Sequence, residues 1–193
     1  FCGSMYCVRG SVMGAISYVG RAINRARSRG LVDTVHYSAH VALNKFLGAY
    51  IDLRYGGRLS IDRPGINKQF EDCFSLQHSD YYTLRDIFRL EPIKPNDVLV
   101  EVGCGYGRVI NYWLSLGLKN KIVGVEINET IAADTAKRLK RFPNVSILTG
   151  DITTMPPLGS LYHTYNPFGG IVLQRFEQSL RNHPVKIIFG NYQ

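Results

Sequence analysis

Val98-Leu99-Val100-Glu101-Val102-Gly103-Cys104-Gly105-Tyr106-Gly107-Arg108-Val109-Ile110 joins an apolar run to a helical one through a carboxylate and three glycines at alternate positions. Glycine lets a backbone turn sharply and exposes it to a ligand that a Cβ would hold off. The helix that follows begins with unpaired N–H groups and the positive end of its dipole, which together favour an anionic or carboxylate-bearing ligand. The stretch therefore reads as a nucleotide-binding turn, although a glycine-rich strand end also suits an ordinary tight turn.

The glycine register separates the cofactor classes that use such turns. A dinucleotide fold needs G-x-G-x-x-G, with the third glycine at the helix–strand contact. Counted from Gly103 and Gly105, that position is Arg108. The pattern present is E-x-G-x-G-x-G, which resembles motif I of the class I S-adenosylmethionine-dependent methyltransferases.

After Pro95 the chain repeats a strand, a turn and a helix. Strands are expected at Val98–Val102, Lys121–Glu126, Val145–Leu148, Ser160–Tyr165 and Val185–Phe189. Helices are expected at Gly107–Leu116, Glu129–Arg141 and Gly169–Arg181, the second opened by Asn128 as N-cap and stopped by Pro143. Such alternation predicts an α/β fold, a Rossmann-like, mostly parallel sheet with helices on both faces. Ligands bind such sheets beyond the carboxyl ends of the strands, where the strand order reverses.

Three further motifs fall at strand ends. Glu126 closes Val123-Gly124-Val125-Glu126, where a carboxylate can accept from both ribose hydroxyls. Gly150-Asp151-Ile152 resembles methyltransferase motif III, with Asp151 toward the adenine amine and Ile152 against its ring; Asp151 also suits a turn or helix cap. Tyr165-Asn166-Pro167-Phe168 is one proline short of the Asn/Asp-Pro-Pro-aromatic motif of enzymes that methylate nitrogen. Asn166 offers a carbonyl to hold an amine, and Phe168 a wall for cation-π contact, while Asn-Pro also serves as a plain strand terminator.

In this order the signals span residues 97 to 191 and resemble a class I methyltransferase core. They are most similar to small bacterial methyltransferase-like proteins with a Y-N-P-F strand end, and more faintly to Dot1-type lysine methyltransferases. The resemblance implies S-adenosylmethionine as cofactor, held by Glu101, Gly103, Gly105, Gly107, Glu126, Asp151 and Ile152. It puts Asn166 and Phe168 at the acceptor, and Tyr81 or Tyr82 near the amino-acid end of the cofactor. It implies methyl transfer to an unidentified acceptor, a small molecule or a protein amine. A catalytically silent scaffold that only binds the cofactor is the alternative, and an NAD-dependent oxidoreductase a more distant one. The family sheet has seven strands and a terminal antiparallel hairpin. Here the sequence ends after a fifth strand, so the C-terminal hairpin is expected to be missing and the last strand to form an exposed edge, or to pair with another molecule, as in a homodimer.

The 193 residues are 45% hydrophobic, enough for one catalytic-sized core plus an extension. No apolar run reaches the ~18 to 20 residues a transmembrane segment needs, and the four cysteines form no C-x-x-C pair. A cytoplasmic protein with reduced thiols is the expectation, and Cys104 reads as a small turn residue rather than a nucleophile. His36 and His40 stand four apart without an evident third ligand, so no metal site is expected.

Residues 5–92 read as an N-terminal helical extension and a lid-like connection, and 93–193 as the cofactor-binding core. Apolar residues fall at helical spacing over Ser11–Arg29 and over Leu31–Tyr50, where Val35, Ala39, Ala42, Phe46 and Tyr50 share one side. Residues 54–78 carry turn chemistry, and Asp80 precedes a helix over Tyr81–Leu90. Six of the eight net positive charges lie in residues 1–60. Arg21, Arg25 and Arg29 would line one face of the first helix, a stripe suited to nucleic acid, anionic lipid or an acidic partner, or simply to solvent.

Overall fold

The computed structural model of the chain describes residues 6–8, 30–56, 79, 81–165 and 168–190. The first expected helix, most of the lid-like connection and Asp80 lie outside them. In chain order the elements are β1 (Tyr6–Val8), α1 (Leu31–Tyr55), α2 (Tyr81–Leu90), β2 (Leu99–Val102), α3 (Arg108–Ser115), β3 (Ile122–Glu126), α4 (Glu129–Leu139), β4 (Val145–Thr149), a 3-10 turn (Ile152–Thr154), β5 (Leu161–Tyr165), α5 (Gly170–Leu180) and β6 (Lys186–Gly190).

The strands form one six-stranded sheet in the order β1-β6-β5-β2-β3-β4, and every neighbouring pair is parallel. The chain runs outward from β2 through β3 to β4, then crosses back to place β5 on the other side of β2. The switch point is thus the β2–β5 junction, where Glu101 is in register with His163 and Val102 with Thr164. The last strand is not the bare edge expected from the sequence. β1 pairs with β6 from Tyr6↔Ile188 to Val8↔Gly190, so a segment from the start of the same chain takes that edge.

Both faces of the sheet are covered. Leu84, Ile87 and Phe88 of α2, Val109 to Leu114 of α3 and Leu139 of α4 pack with Leu99, Ile122, Leu161 and Ile188 on one side. Phe176 and Leu180 of α5, Ile152 and Phe168 pack with Val100, Val102, Val123, Val125 and Tyr162 on the other. The near-continuous burial of β2 and β3 is what a parallel sheet between two helical layers imposes. Each fully buried apolar side chain contributes about 1.5–3 kcal/mol, so these two clusters supply most of the driving force.

α1 sits outside this sandwich. It docks on α3 through Ile51, Asp52 and Gly48, whose missing side chain lets Tyr81 and Arg108 approach; a Cβ there would lie 3.2 Å from the Tyr81 ring. The side of α1 that the sequence marks as its apolar face, with Val35, Ala39, Ala42, Phe46 and Tyr50, is instead exposed.

Gly124 in the middle of β3 is a tight point of the first layer. A Cβ there would stand 2.7 Å from Ile147 Cδ1 and 2.9 Å from both Cys104 Sγ and Ile110 Cδ1. Gly124→Ala should destabilise the protein by about 1–3 kcal/mol, the usual cost of overpacking. Urea unfolding should show a lowered midpoint with an unchanged slope; an unaltered midpoint would mean that this layer relaxes freely.

Candidate cofactor site at the strand ends

The glycine turn after β2 has the form the sequence calls for. Gly103, Gly105 and Gly107 have φ of 66°, 50° and 73°, a left-handed region that a side chain strains. α3 starts directly from Gly107 with no side-chain cap and no acidic residue in its first turn. α4, on the same face of the sheet, is closed conventionally: Ile131 N–H donates to Asn128 Oδ1 at 3.1 Å, and Glu129 sits in the first turn. An uncapped helix start behind a glycine turn leaves backbone donors facing the strand ends.

Side chains from two elements fix the turn's backbone. Gly105 N–H donates to Glu126 Oε2 at 2.9 Å, and Asn128 N–H donates to Oε1 of the same carboxylate at 3.0 Å. Thr135 Oγ1 donates to the Gly105 carbonyl at 2.9 Å, and Arg138 Nη2 donates to the Tyr106 carbonyl. Arg138 also donates from Nη1 to the Tyr55 carbonyl at 2.8 Å and to Asn111 Oδ1 at 3.0 Å, which ties the end of α1 and the middle of α3 to the turn. Burial holds the Arg138 guanidinium below its ordinary value, so it is a desolvated cation wrapped by oxygens.

Glu101 lies one layer beneath. Its Oε2 is 2.7 Å from His163 Nδ1, both side chains are buried, and Phe88 and Trp113 enclose the imidazole. Burial raises the Glu101 carboxyl above the ordinary carboxylate range, against the opposing pull of His163. This pair spans the switch point. The neighbouring Cys104 thiol is also buried, and desolvation with the nearby Glu126 and Glu101 carboxylates pushes it well above its usual value, so it stays a thiol.

The remaining sequence-predicted residues divide. Asp151 is exposed at the end of β4 and accepts from Thr153 N–H at 2.9 Å, opening the 3-10 turn that buries Ile152 beneath it. Phe168 is buried with its ring centroid 5.7 Å from that of Phe176. Asn166 lies outside the described residues. Tyr81 belongs to a neighbouring cluster: its hydroxyl donates to buried Asp52, and its ring lies under the Arg108 guanidinium at 4.5 Å. Desolvation and the Asp52 carboxylate push that hydroxyl far above its usual range, so it remains a donor. Among the described residues, Tyr81 is linked to the glycine turn through Arg108. The register of β5-β2-β3-β4 brings Glu101, the glycines, Glu126, Asp151 and Ile152 to one end of the sheet.

Residues 99–178 match the protein family described as "Methyltransferase domain". This segment is similar to methyltransferase domains. Over 63 residues the chain is 36% identical to a probable cobalt-precorrin-6B C(15)-methyltransferase (decarboxylating) of Archaeoglobus fulgidus. That match covers 33% of this chain and 36% of the relative, so the chain spans about a third of the curated relative's length. Among solved structures, the domain is similar to the glycopeptide N-methyltransferase MtfA, with a TM-score of 0.48, 18% identity, and 56% of this chain and 52% of that one covered. A dimethyladenosine transferase from Plasmodium falciparum gives a TM-score of 0.46 at 22% identity, over 56% of this chain and 41% of that one. No helix among the described residues is long and apolar enough to cross a membrane.

Sequence reasoning did not single out Thr135, Arg138 or His163. Thr135 and Arg138 follow Ile131 and Ala132 at helical spacing, so the inner face of α4 was legible, but not the carbonyls that face it. His163 falls within the expected strand Ser160–Tyr165, but the parallel pairing of β2 with β5 is what reveals its partner.

A carboxyl group whose folded value is raised holds its proton more strongly in the folded state, so stability falls as pH climbs from the ordinary value of 4.5 through the raised one. Glu101→Gln removes this titration and keeps an acceptor for His163. The variant should gain stability relative to the parent as pH rises above the ordinary carboxyl value of 4.5, read from urea midpoints of both proteins. A gap that stays constant with pH would show that the carboxyl titrates normally.

Proposed function

We propose that the domain binds S-adenosylmethionine across the ends of β2, β3 and β4 and transfers its methyl group to a nitrogen-bearing acceptor. The observation that carries this reading is the glycine turn with its uncapped helix start, flanked by carboxylates at two successive strand ends. The residues present suit that cofactor. Glu126 uses one lone pair on each oxygen for backbone N–H groups and keeps capacity for ribose hydroxyls. Asp151 is exposed for the adenine amine, and Ile152 supplies an apolar floor beside it. The donors at the start of α3 suit the carboxylate of the amino-acid tail.

Bound here, S-adenosylmethionine would supply an electrophilic methyl carbon, to which an amine lone pair would form an N–C bond as the C–S bond broke, giving S-adenosylhomocysteine and one proton for solvent. The protein's share of such a reaction is alignment and exclusion of water, and no strong base is needed. In this reading the Asn166 carbonyl orients the amine, Pro167 fixes the backbone, and Phe168 supports the site by its packing on Phe176.

Calorimetric titration with S-adenosylmethionine should give saturable binding in preference to NAD. Glu126→Ala should weaken that binding about tenfold or more, as expected for losing hydrogen bonds to a charged group. Release of S-adenosylhomocysteine in a screen of small amines, peptides and nucleic acids would identify the acceptor. With it, Asn166→Ala should lower turnover by about tenfold or more and leave cofactor affinity near the parent value. Binding without turnover on any acceptor would favour the scaffold reading. Equal loss of affinity and turnover in Asn166→Ala would contradict its positioning role.

A further inference from the structure

α1 carries an apolar seam that no described residue covers. Val32, Val35, Ala39, Ala42, Phe46, Ala49 and Leu53 recur in alternating steps of three and four, and all seven are exposed. The exposure is high for the large ones: 74% for Val32, 65% for Val35, 76% for Phe46 and 66% for Leu53. Leu43, Leu47 and Tyr50 broaden the stripe along one flank and are at least half exposed as well. Sustained 3-4 spacing over three heptads is the seam by which one helix packs along another. It is separate from the docking side of α1, where Gly48, Ile51 and Asp52 already rest on α2 and α3.

We propose that two copies of this chain pair through α1, with the two helices antiparallel. Three arguments select this occupant. The exposed apolar side chains of the seam and its flank amount to roughly 800 Å², which is what each partner buries in a standard stable interface. It is also more than the ~300–600 Å² of the largest apolar patch on a typical monomer.

Volume complementarity sets the direction. An antiparallel pair centred between Ala42 and Leu43 places Phe46 over Ala39, Leu53 over Val32, Tyr50 over Val35 and Leu43 over Ala42. Each larger residue then meets a smaller or β-branched one, as close packing requires. A parallel pair in register would stack Phe46 on Phe46 and set Ala39 opposite Ala39 and Ala42 opposite Ala42 across a gap.

Charge argues against a lipid surface as the occupant. Residues 31–55 contain Lys45 and Arg54 against Asp33 and Asp52, so α1 is neutral and lacks the cation-rich polar face of a helix that lies on anionic membrane. Helix dipoles also oppose favourably in the antiparallel arrangement.

Sedimentation velocity of the full chain over a concentration series tests the proposal. The parent should sediment as a dimer at micromolar concentration. Phe46→Lys alone and Ala39→Glu alone should each raise the dimer dissociation constant about tenfold or more. The doubly substituted chain should recover much of that loss, because residue 39 of one copy then faces residue 46 of the other with opposite charge. Both positions are exposed, so far-UV circular dichroism should match the parent in every variant and exclude unfolding as the cause, while melting temperature should fall only as far as the weaker association requires. A parent that remains monomeric at all concentrations overturns the proposal. So does flotation of a monomeric parent with phosphatidylserine vesicles that Phe46→Lys abolishes. Dimers whose association both single variants leave untouched assign the interface elsewhere, and failure of the double variant to recover overturns the antiparallel register.

Discussion

The Glu126 carboxylate is the contact on which this site is built. Three left-handed residues within five positions form a turn that local preferences alone cannot hold in one shape, because glycine has many other conformations open to it. Glu126 supplies the missing constraint by gripping the Gly105 and Asn128 amides at once, so that the ends of β2 and β3 are locked to each other. Thr135 and Arg138 add hydrogen bonds to the Gly105 and Tyr106 carbonyls. The backbone donors at the start of α3 are consequently arranged before any ligand arrives, which lowers the ordering cost that binding would otherwise carry.

The same guanidinium links the two halves of the molecule. Arg138 reaches the carbonyl of Tyr55, the last residue of α1, and Asn111 in α3. Gly56 follows with φ of 107°, and a Cβ there would fall 2.7 Å from Arg138 Cγ, so the chain leaves α1 pressed against the arm of that arginine. Asp52, Tyr81 and Arg108 make a second bridge one turn earlier. α1 is thereby joined at both points to residues next to the cofactor turn.

The parallel sheet and the glycine turn were legible in the sequence because local and global signals agree there. Glycine spacing, the Asn128 cap and the run of buried β-branched residues all favour one arrangement, and the observed elements from β2 to β6 lie within a residue or two of their expected limits. What stayed hidden depends on pairing between distant segments. The partnership of Glu101 with His163 follows from β2 and β5 being neighbours in register. β1 beside β6 has only three residues, too few for periodicity to reveal. Helical spacing in α1 did show which residues share a face, but periodicity is silent about whether that face meets its own sheet. The core is largely filled by α2 and α3, and α1 adds Ile51 and, in part, Tyr55 to it.

Cys104 has a consequence of its own. Thiols are oxidised through their ionised form, and this one is sealed under Gly124 between two carboxylates that disfavour ionisation. Peroxide or disulfide reagents would meet an inert sulfur at the heart of the nucleotide turn. A cell under oxidative stress would therefore leave this turn chemically intact, and any redox sensitivity of the protein would have to originate elsewhere in the chain.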